Sequence, residues 1–239
     1  MIYILIPIFN EAANLELLAA NLKNSLQGED KFYVFSDDGS KDNSRELLAQ
    51  LFENEQFVVL GDGQNYGPGQ AFNRGFEWIL AHSTSETDLV ATLEADNTSD
   101  IELLPKMVSV ARLGYDMVLA SVYAQGGGFD QTSFFRKFLS FWANMLFRTF
   151  FDVKVLTLSS FYRVYTLAQL RRIKSKYPQI ITEAGFICML EILLKAVKTE
   201  AKIVELPMVL HSSKRKGASK MKIFKTARTY LRFMFARKF

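Results

Sequence analysis

The stretch Ile2-Tyr3-Ile4-Leu5-Ile6-Pro7-Ile8-Phe9-Asn10-Glu11 decides the fold. Its apolar, β-branched residues over 2–8 read as a short buried strand. It then turns polar at Asn10 and Glu11, so the strand delivers a carboxylate at its carboxyl end. Outward from it the same unit repeats. Leu15, Leu18, Leu22 and Leu26 predict a helix over 11–26, and Phe32–Phe35 a second strand that stops at Asp37-Asp38-Gly39-Ser40. Ser40 or Asp42 is the expected cap of a helix carrying Leu47, Leu48 and Leu51. Phe57–Leu60 is a third strand, followed by a glycine-rich turn over 61–69 and a helix over 70–81. Leu89–Leu93 is a fourth strand ending in Glu94-Ala95-Asp96, before a helix over 101–113 and a strand over 116–121.

Short buried strands alternating with helices call for an α/β, Rossmann-like, mostly parallel sheet flanked by helices. Ligands of such sheets lie outside the carboxyl ends of the strands. The acidic and glycine-rich segments all fall there, after strands one to four. Gly126–Gly128 reads as a flexible hinge, so 1–125 forms a ligand-binding half and 126–220 the other half of the same domain, with 221–239 a basic, aromatic C-terminal helix.

The strand ends carry the chemistry. Glu94 and Asp96 are two residues apart where the chain leaves the sheet, so both carboxylates can turn toward one point. Hard oxygen donors with open positions suit Mg²⁺ or Mn²⁺ bridging diphosphate oxygens. A solvated acidic turn is the bland alternative. Asp37 and Asp38 can accept hydrogen bonds from a base or ribose. Asn65-Tyr66-Gly67-Pro68-Gly69-Gln70-Ala71 opens a helix, where glycines permit close backbone approach and the N-terminus favours a phosphate. The loop matches neither Gly-x-x-x-x-Gly-Lys-Ser/Thr nor Gly-x-Gly-x-x-Gly, which disfavours a P-loop nucleotide triphosphatase and a dinucleotide dehydrogenase.

Pro7-Ile8-Phe9-Asn10-Glu11, Ser36-Asp37-Asp38-Gly39-Ser40-Lys41-Asp42, Asn65-x-Gly-x-Gly-x-Ala71 and Glu94-Ala95-Asp96 stand in one order and at usual intervals. In these the chain resembles the family 2 glycosyltransferases of GT-A fold. The likeness covers the first 125 residues and continues to about residue 225. It implies a nucleotide pocket lined by Pro7, Phe9, Glu11, Asp37, Asp38, Asn65 and Gly67. It implies a metal held by Asp96 with Glu94, which stands where the family usually has Asp. Glu205-Leu206-Pro207 followed by Lys214-Arg215-Lys216-Gly217-Ala218-Ser219-Lys220 resembles the ending of the dolichol-phosphate mannose synthases and polyprenyl-phosphate glycosyltransferases. That ending implies Lys214, Arg215 and Lys220 as groups screening donor diphosphate and acceptor phosphate. It also makes Ser219 a candidate for the acceptor phosphate, and, because Val122 stands where many family members have Arg, the resemblance offers Arg136 and Arg163 in that arginine's place. Glu191 matches a family glutamate that could orient a basic residue or the acceptor, or be a buried ion pair with Lys195.

Composition places the reaction. Ten of the 29 basic residues and none of the 25 acidic ones lie from Leu206 onward, a polarity that invites a polyanion. The predicted helix over 133–151 holds eight of the chain's aromatics, with Arg136, Ser140, Asn144 and Arg148 in a polar stripe. It and the tail over 221–239 read as amphipathic interface helices on a membrane surface, or else as a core or dimer contact. No run reaches the roughly 18 apolar residues of a membrane span. The N-terminus lacks a basic n-region, and Cys188 is the single cysteine, so no internal disulfide exists. The expectation is a peripheral protein on the cytoplasmic face of a membrane. It would move sugar from a GDP- or UDP-sugar to a lipid-phosphate acceptor, with a partner membrane subunit or homo-oligomer as further company. The alternative acceptor is a glycan hydroxyl, which needs a base such as Glu191 or Asp130. Nucleic acid, the partner a basic tail alone invites, leaves the acidic strand ends without a role.

Overall fold

The chain's structure, a computed structural model, describes residues 1–131, 134–217 and 223–235, apart from the side chains of 134–139, 143 and 223–227. Strand β1 (Ile2–Ile8) lies inside a seven-stranded sheet, flanked by β2 (Lys31–Asp37) and β4 (Leu89–Thr92), with β3 (Phe57–Leu60) outermost. These four are parallel, so their carboxyl ends share one edge. The order continues through β7 (Arg163–Thr166), β5 (Met117–Ser121) and β8 (Ile203–Pro207). β7 runs antiparallel to both β4 and β5, the one reversal in an otherwise parallel sheet. The second half of the chain thus completes the sheet begun by the first.

Alternation along β1 explains why it sits centrally. Ile2, Ile4, Ile6 and Ile8 pack on one face against α1 (Ala12–Asn24), α2 (Ser44–Leu51) and α4 (Leu104–Arg112). Tyr3 and Leu5 face the other side, against α3 (Pro68–His82), and the cluster there also takes in α6 (Leu167–Lys176) and α7 (Cys188–Lys198). A period of two with both faces apolar is what a doubly covered strand requires. α2 begins after Asn43 rather than at a Ser40 or Asp42 cap, although Asp42 Oδ1 does accept from the Ser44 amide at 3.1 Å.

The glycines at 126–128 are a tight corner rather than a hinge. A Cβ on Gly127 would meet the Ser121 carbonyl oxygen at 2.5 Å, and Gly128 starts β6 (Gly128–Asp130), which pairs with β9 (Val209–His211). The aromatic segment forms α5 (Phe134–Phe151), and the tail forms α8 (Ile223–Phe235). Phe147 and Phe151 meet Tyr230 and Phe233 between them. Away from that contact, Phe141, Trp142, Met145, Leu146 and Phe150 are each 42–50% exposed, at the spacing of one helical face. Among the described residues no helix is long and apolar enough to cross a membrane.

Candidate active site

Beyond Thr92 the Leu93 amide still reaches the Leu5 carbonyl of β1 at 3.4 Å, and Asp96 is placed at the open edge but mostly buried. Its Oδ1 accepts from the Thr98 amide at 3.0 Å and the Thr98 hydroxyl at 2.7 Å. Its Oδ2 accepts from Arg215 Nε at 2.6 Å, with Arg215 Nη2 also in contact. Glu94 is half-buried, and its carboxyl is pushed up to about 8, first by burial, then by the charge of Asp96; Arg215 opposes the shift and Glu11 adds to it. Three carboxylates therefore share one field with one guanidinium, a site short of positive charge.

That donor set fits a hard divalent cation. Two carboxylates leave most positions to water and phosphate oxygens, which is how Mg²⁺ is commonly held beside a nucleotide. Among the described residues no three Asp, Glu, His or Cys side chains close around one point, so the protein alone does not form a complete cage.

The ends of β1 and β2 are knitted together. Ser40 Oγ accepts from the Asn10 amide at 2.9 Å and Ser44 Oγ from the Glu11 amide at 2.9 Å. Pro7 and Phe9 are half-buried along this edge. Asp37 is fully buried, its Oδ2 3.1 Å from Arg45 Nη1 and its Oδ1 accepting from the Ser40 amide. Asp38, expected against a base or ribose, is engaged by backbone. Its two oxygens take the Tyr66 and Gly67 amides at 2.8–3.2 Å, while Asn65 Nδ2 donates to its carbonyl. Burial raises the Asp38 pKa, opposed by those two amides. Asp38 therefore shapes the turn that opens α3, with Gly67 at φ +96° as its N-cap. Arg74, which the sequence reading passed over, donates to the Asp37 carbonyl at 2.9 Å and braces the same corner.

Two candidates lie away from the strand-end edge. Glu191 is fully buried on α7, 2.7 Å from Lys195 Nζ, and accepts from the Thr182 and Glu183 amides at 2.8–3.0 Å and from the Thr182 hydroxyl at 2.6 Å. It is the buried ion pair, and it holds the loop over 180–184. Arg163 is also fully buried, donating to the carbonyls of Met189 and Leu158 at 2.8 Å each, because β7 points it into the core rather than toward solvent. It joins β7 to α7, shut off from the solvent side on which it was expected to meet an acceptor phosphate. Cys188 is buried as expected, and burial pushes its thiol pKa up.

The 180–184 loop caps α3. The Gly69 amide donates to the Ala184 carbonyl at 2.8 Å, and a Cβ on Gly69 would lie 1.8 Å from the Glu183 carbonyl oxygen. Backbone cannot yield as a flexible side chain can. Gly69→Ala is expected to cost about 1–3 kcal/mol of stability by overpacking and to weaken nucleotide binding. Denaturant unfolding and a nucleotide titration check the two parts.

From β9 the basic segment runs back over the acidic edge. The His211 amide donates to the Thr98 carbonyl at 2.9 Å, Lys214 is exposed, and Arg215 reaches Asp96. Ser219 and Lys220 lie outside the described residues, as does the side chain of Arg136. His211 Nδ1 is 3.5 Å from Asp130. The sequence reading also missed Asn14. Its only signal was a polar residue within the otherwise apolar buried face of α1, beside Leu15 and Leu18.

Residues 3–177 match the model of glycosyl transferase family 2. The chain belongs to that family. It is 29% identical over 236 residues to a dolichol-phosphate mannosyltransferase of Pyrococcus furiosus, covering 97% of this chain and 62% of that protein. It is 34% identical over 119 residues to an undecaprenyl-phosphate 4-deoxy-4-formamido-L-arabinose transferase of Proteus mirabilis, covering 48% of this chain and 35% of that one. The chain thus spans less than two thirds of these curated relatives. Its fold is shared with glucosyl-3-phosphoglycerate synthase of Mycobacterium tuberculosis, solved with Mn²⁺, UDP-glucose and glycerol 3-phosphate. The TM-score is 0.70 at 14% identity, over 99% of this chain and 79% of that one. The GT-A sheet and its helices are as the motifs implied.

Proposed function

We propose that the family 2 transferase moves a sugar, with inversion, from a nucleotide-sugar to a polyprenyl phosphate at a membrane surface. The observation that carries this reading is the meeting of opposite charges at one edge. The Glu94–Asp96 segment closes one side, and the basic segment from β9 touches it through Arg215. Acid groups suit a metal-held diphosphate, and cations beside them suit a second phosphate, whose repulsion toward the donor must be screened. Asp96 with Glu94 would hold Mg²⁺ or Mn²⁺, which supplies charge neutralisation at the departing nucleoside diphosphate. Pro7, Phe9, Glu11, Asn65 and Gly67 line the side where the nucleotide would lie. Lys214 and Arg215, with Ser219 and Lys220 beyond them in sequence, would serve the phosphates.

An acceptor that is already an anion needs little deprotonation, so positioning and charge account for the rate. A glycan hydroxyl would need a base, and the burial of Glu191 removes one of the two carboxylates that could serve. The names of both relatives, each a transferase to or from a lipid phosphate carrier, support the same acceptor class. The test sets polyprenyl phosphate, the free polyprenol and an oligosaccharide against one donor. Product on the phosphate alone is expected; product on the oligosaccharide alone overturns the acceptor assignment.

The exposed aromatic face of α5 is the membrane contact in this reading, on the cytoplasmic side where nucleotide-sugars are made. Apolar area of this kind on a helix rimmed by polar residues partitions into the headgroup boundary. Substituting Phe141 and Trp142 by Ser together is expected to lower binding to anionic vesicles about tenfold or more, with soluble-donor affinity unchanged. Co-sedimentation measures it. Unchanged binding would give that face to a partner subunit or a second copy of the chain.

A further inference from the structure

The basic segment after β9 is held down at three points, and the middle one carries the consequence. At its start the His211 amide meets the Thr98 carbonyl. Further on, the Lys216 amide donates to Asn14 Oδ1 at 3.0 Å, and Asn14 Nδ2 donates back to the Lys216 carbonyl at 3.2 Å. This two-way amide pair imitates a rung of backbone ladder, and it reads the Lys216 backbone rather than its side chain. Between the two tethers sits Arg215, whose Nε reaches Asp96 Oδ2 at 2.6 Å.

Asn14 is itself fixed. It is 3% exposed, its Nδ2 also donates to Glu11 Oε2 at 2.7 Å, and its carbonyl accepts from Asn97 Nδ2 at 3.0 Å. A buried carboxamide with its donors and acceptor all engaged has one orientation available. The residue next to Arg215 is therefore pinned by a rigid group on α1, and the guanidinium is delivered to the oxygen of Asp96 that Thr98 leaves free.

We propose that Asn14 is a positioning residue, a latch that seats residues 214–217 across the acidic edge so that Arg215 occupies Asp96 until a divalent cation takes its place. The inference rests on the reading of Asp96 as a metal ligand, and it adds a competition within the chain. A guanidinium 2.6 Å from Asp96 Oδ2 takes up one lone pair of that oxygen and sets a positive charge against any cation approaching it. Cation affinity in the donor-free protein is consequently weakened by whatever holds the strap down, and release of the strap frees Arg215 to meet phosphate oxygens.

Mn²⁺ binding to the donor-free full chain, read from the loss of the free-ion electron paramagnetic resonance signal, tests this without any sugar transfer. Arg215→Gln is expected to bind Mn²⁺ about three- to tenfold more tightly than the wild type, the scale of a partly covered, charge-assisted pair. Arg215→Lys keeps the charge and should return most of the way to wild type. Asn14→Leu, with Arg215 intact, should show a gain of the same sign. The double variant should gain no more than Arg215→Gln alone, because both changes remove one competitor. A merely structural Asn14 would give loss of stability with no change in Mn²⁺ affinity. Equal affinity in wild type and Arg215→Gln would overturn the competition. Should Asn14→Leu fold poorly, protease cleavage after Lys214 and Lys216 in Asn14→Ser supplies the second readout, and cutting as slow as in the wild type would overturn the latch. Absence of Mn²⁺ binding in every protein, with or without nucleoside diphosphate, would remove the metal reading itself. Absence of sugar transfer with the affinities ordered as above would remove only the activity.

Discussion

Asp96→Asn is expected to lower turnover about a thousandfold while leaving the melting temperature close to that of the wild type. The amide keeps an oxygen for the Thr98 amide and hydroxyl, so the local turn survives. What it loses is the charge toward which Arg215 points and on which a hard cation would sit. Removing electrostatic stabilisation of this kind costs on the order of 10²–10³ in rate, and a metal contact can add to that. The cost in stability is small by comparison, because Arg215 lies at the open edge with 24% of its side chain exposed and can turn to water when the charge is removed. Steady-state turnover and thermal unfolding on the same preparation separate the two. Undiminished turnover would place the chemistry elsewhere.

Glu191→Leu makes the opposite pattern. The substitution strands the Lys195 ammonium, which is 3% exposed and shares the core with Glu191. It also strips the Thr182 and Glu183 amides of their acceptor. Breaking one side of a buried pair costs about 3–5 kcal/mol, and for a chain of this size each kcal/mol lowers Tm by about 2–4 °C. A fall of about 6–20 °C is therefore expected. Adding Lys195→Met to Glu191→Leu should restore much of it, since a well-packed apolar pair can replace a buried ionic one. Some turnover should fall as well, because the loop over 180–184 caps the N-terminus of α3 through Gly69. An unshifted Tm with turnover abolished would instead make Glu191 a catalytic residue.

Four strands and their order of motifs were legible because each is a short apolar run punctuated by acids or glycines, and a parallel sheet lines those ends up on one edge. Strands β7 and β8 were not. Arg163-Val164-Tyr165-Thr166 shows no alternation, and its arginine hides a core position whose charge is met by carbonyls. The glycines at 126–128 invite a hinge, yet their partner strand lies some 80 residues later, a pairing that local sequence does not encode. The site divided along the same line. Glu94 and Asp96 follow from charge type at a strand end and Arg215 from the resemblance of its basic segment, and the structure brings Asp96 and Arg215 into contact. Glu191 and Arg163 were read from motif position alone, and burial reassigns both. Asn14 carried only a faint mark, one polar residue on an apolar helical face, because its partner is a backbone segment 202 residues away.

The central claim is sugar transfer from a nucleotide-sugar to a phosphate acceptor at this edge. It is tested most directly by incubating the protein with vesicles containing polyprenyl phosphate, Mg²⁺ or Mn²⁺, and a panel of GDP- and UDP-sugars, and reading the lipid fraction by mass spectrometry. The account predicts one new ion, the polyprenyl phosphate plus a single sugar residue, formed with release of the nucleoside diphosphate and absent when Asp96 is replaced by Asn. Unmodified lipid phosphate with every donor, alongside sugar transferred to an oligosaccharide, would contradict it.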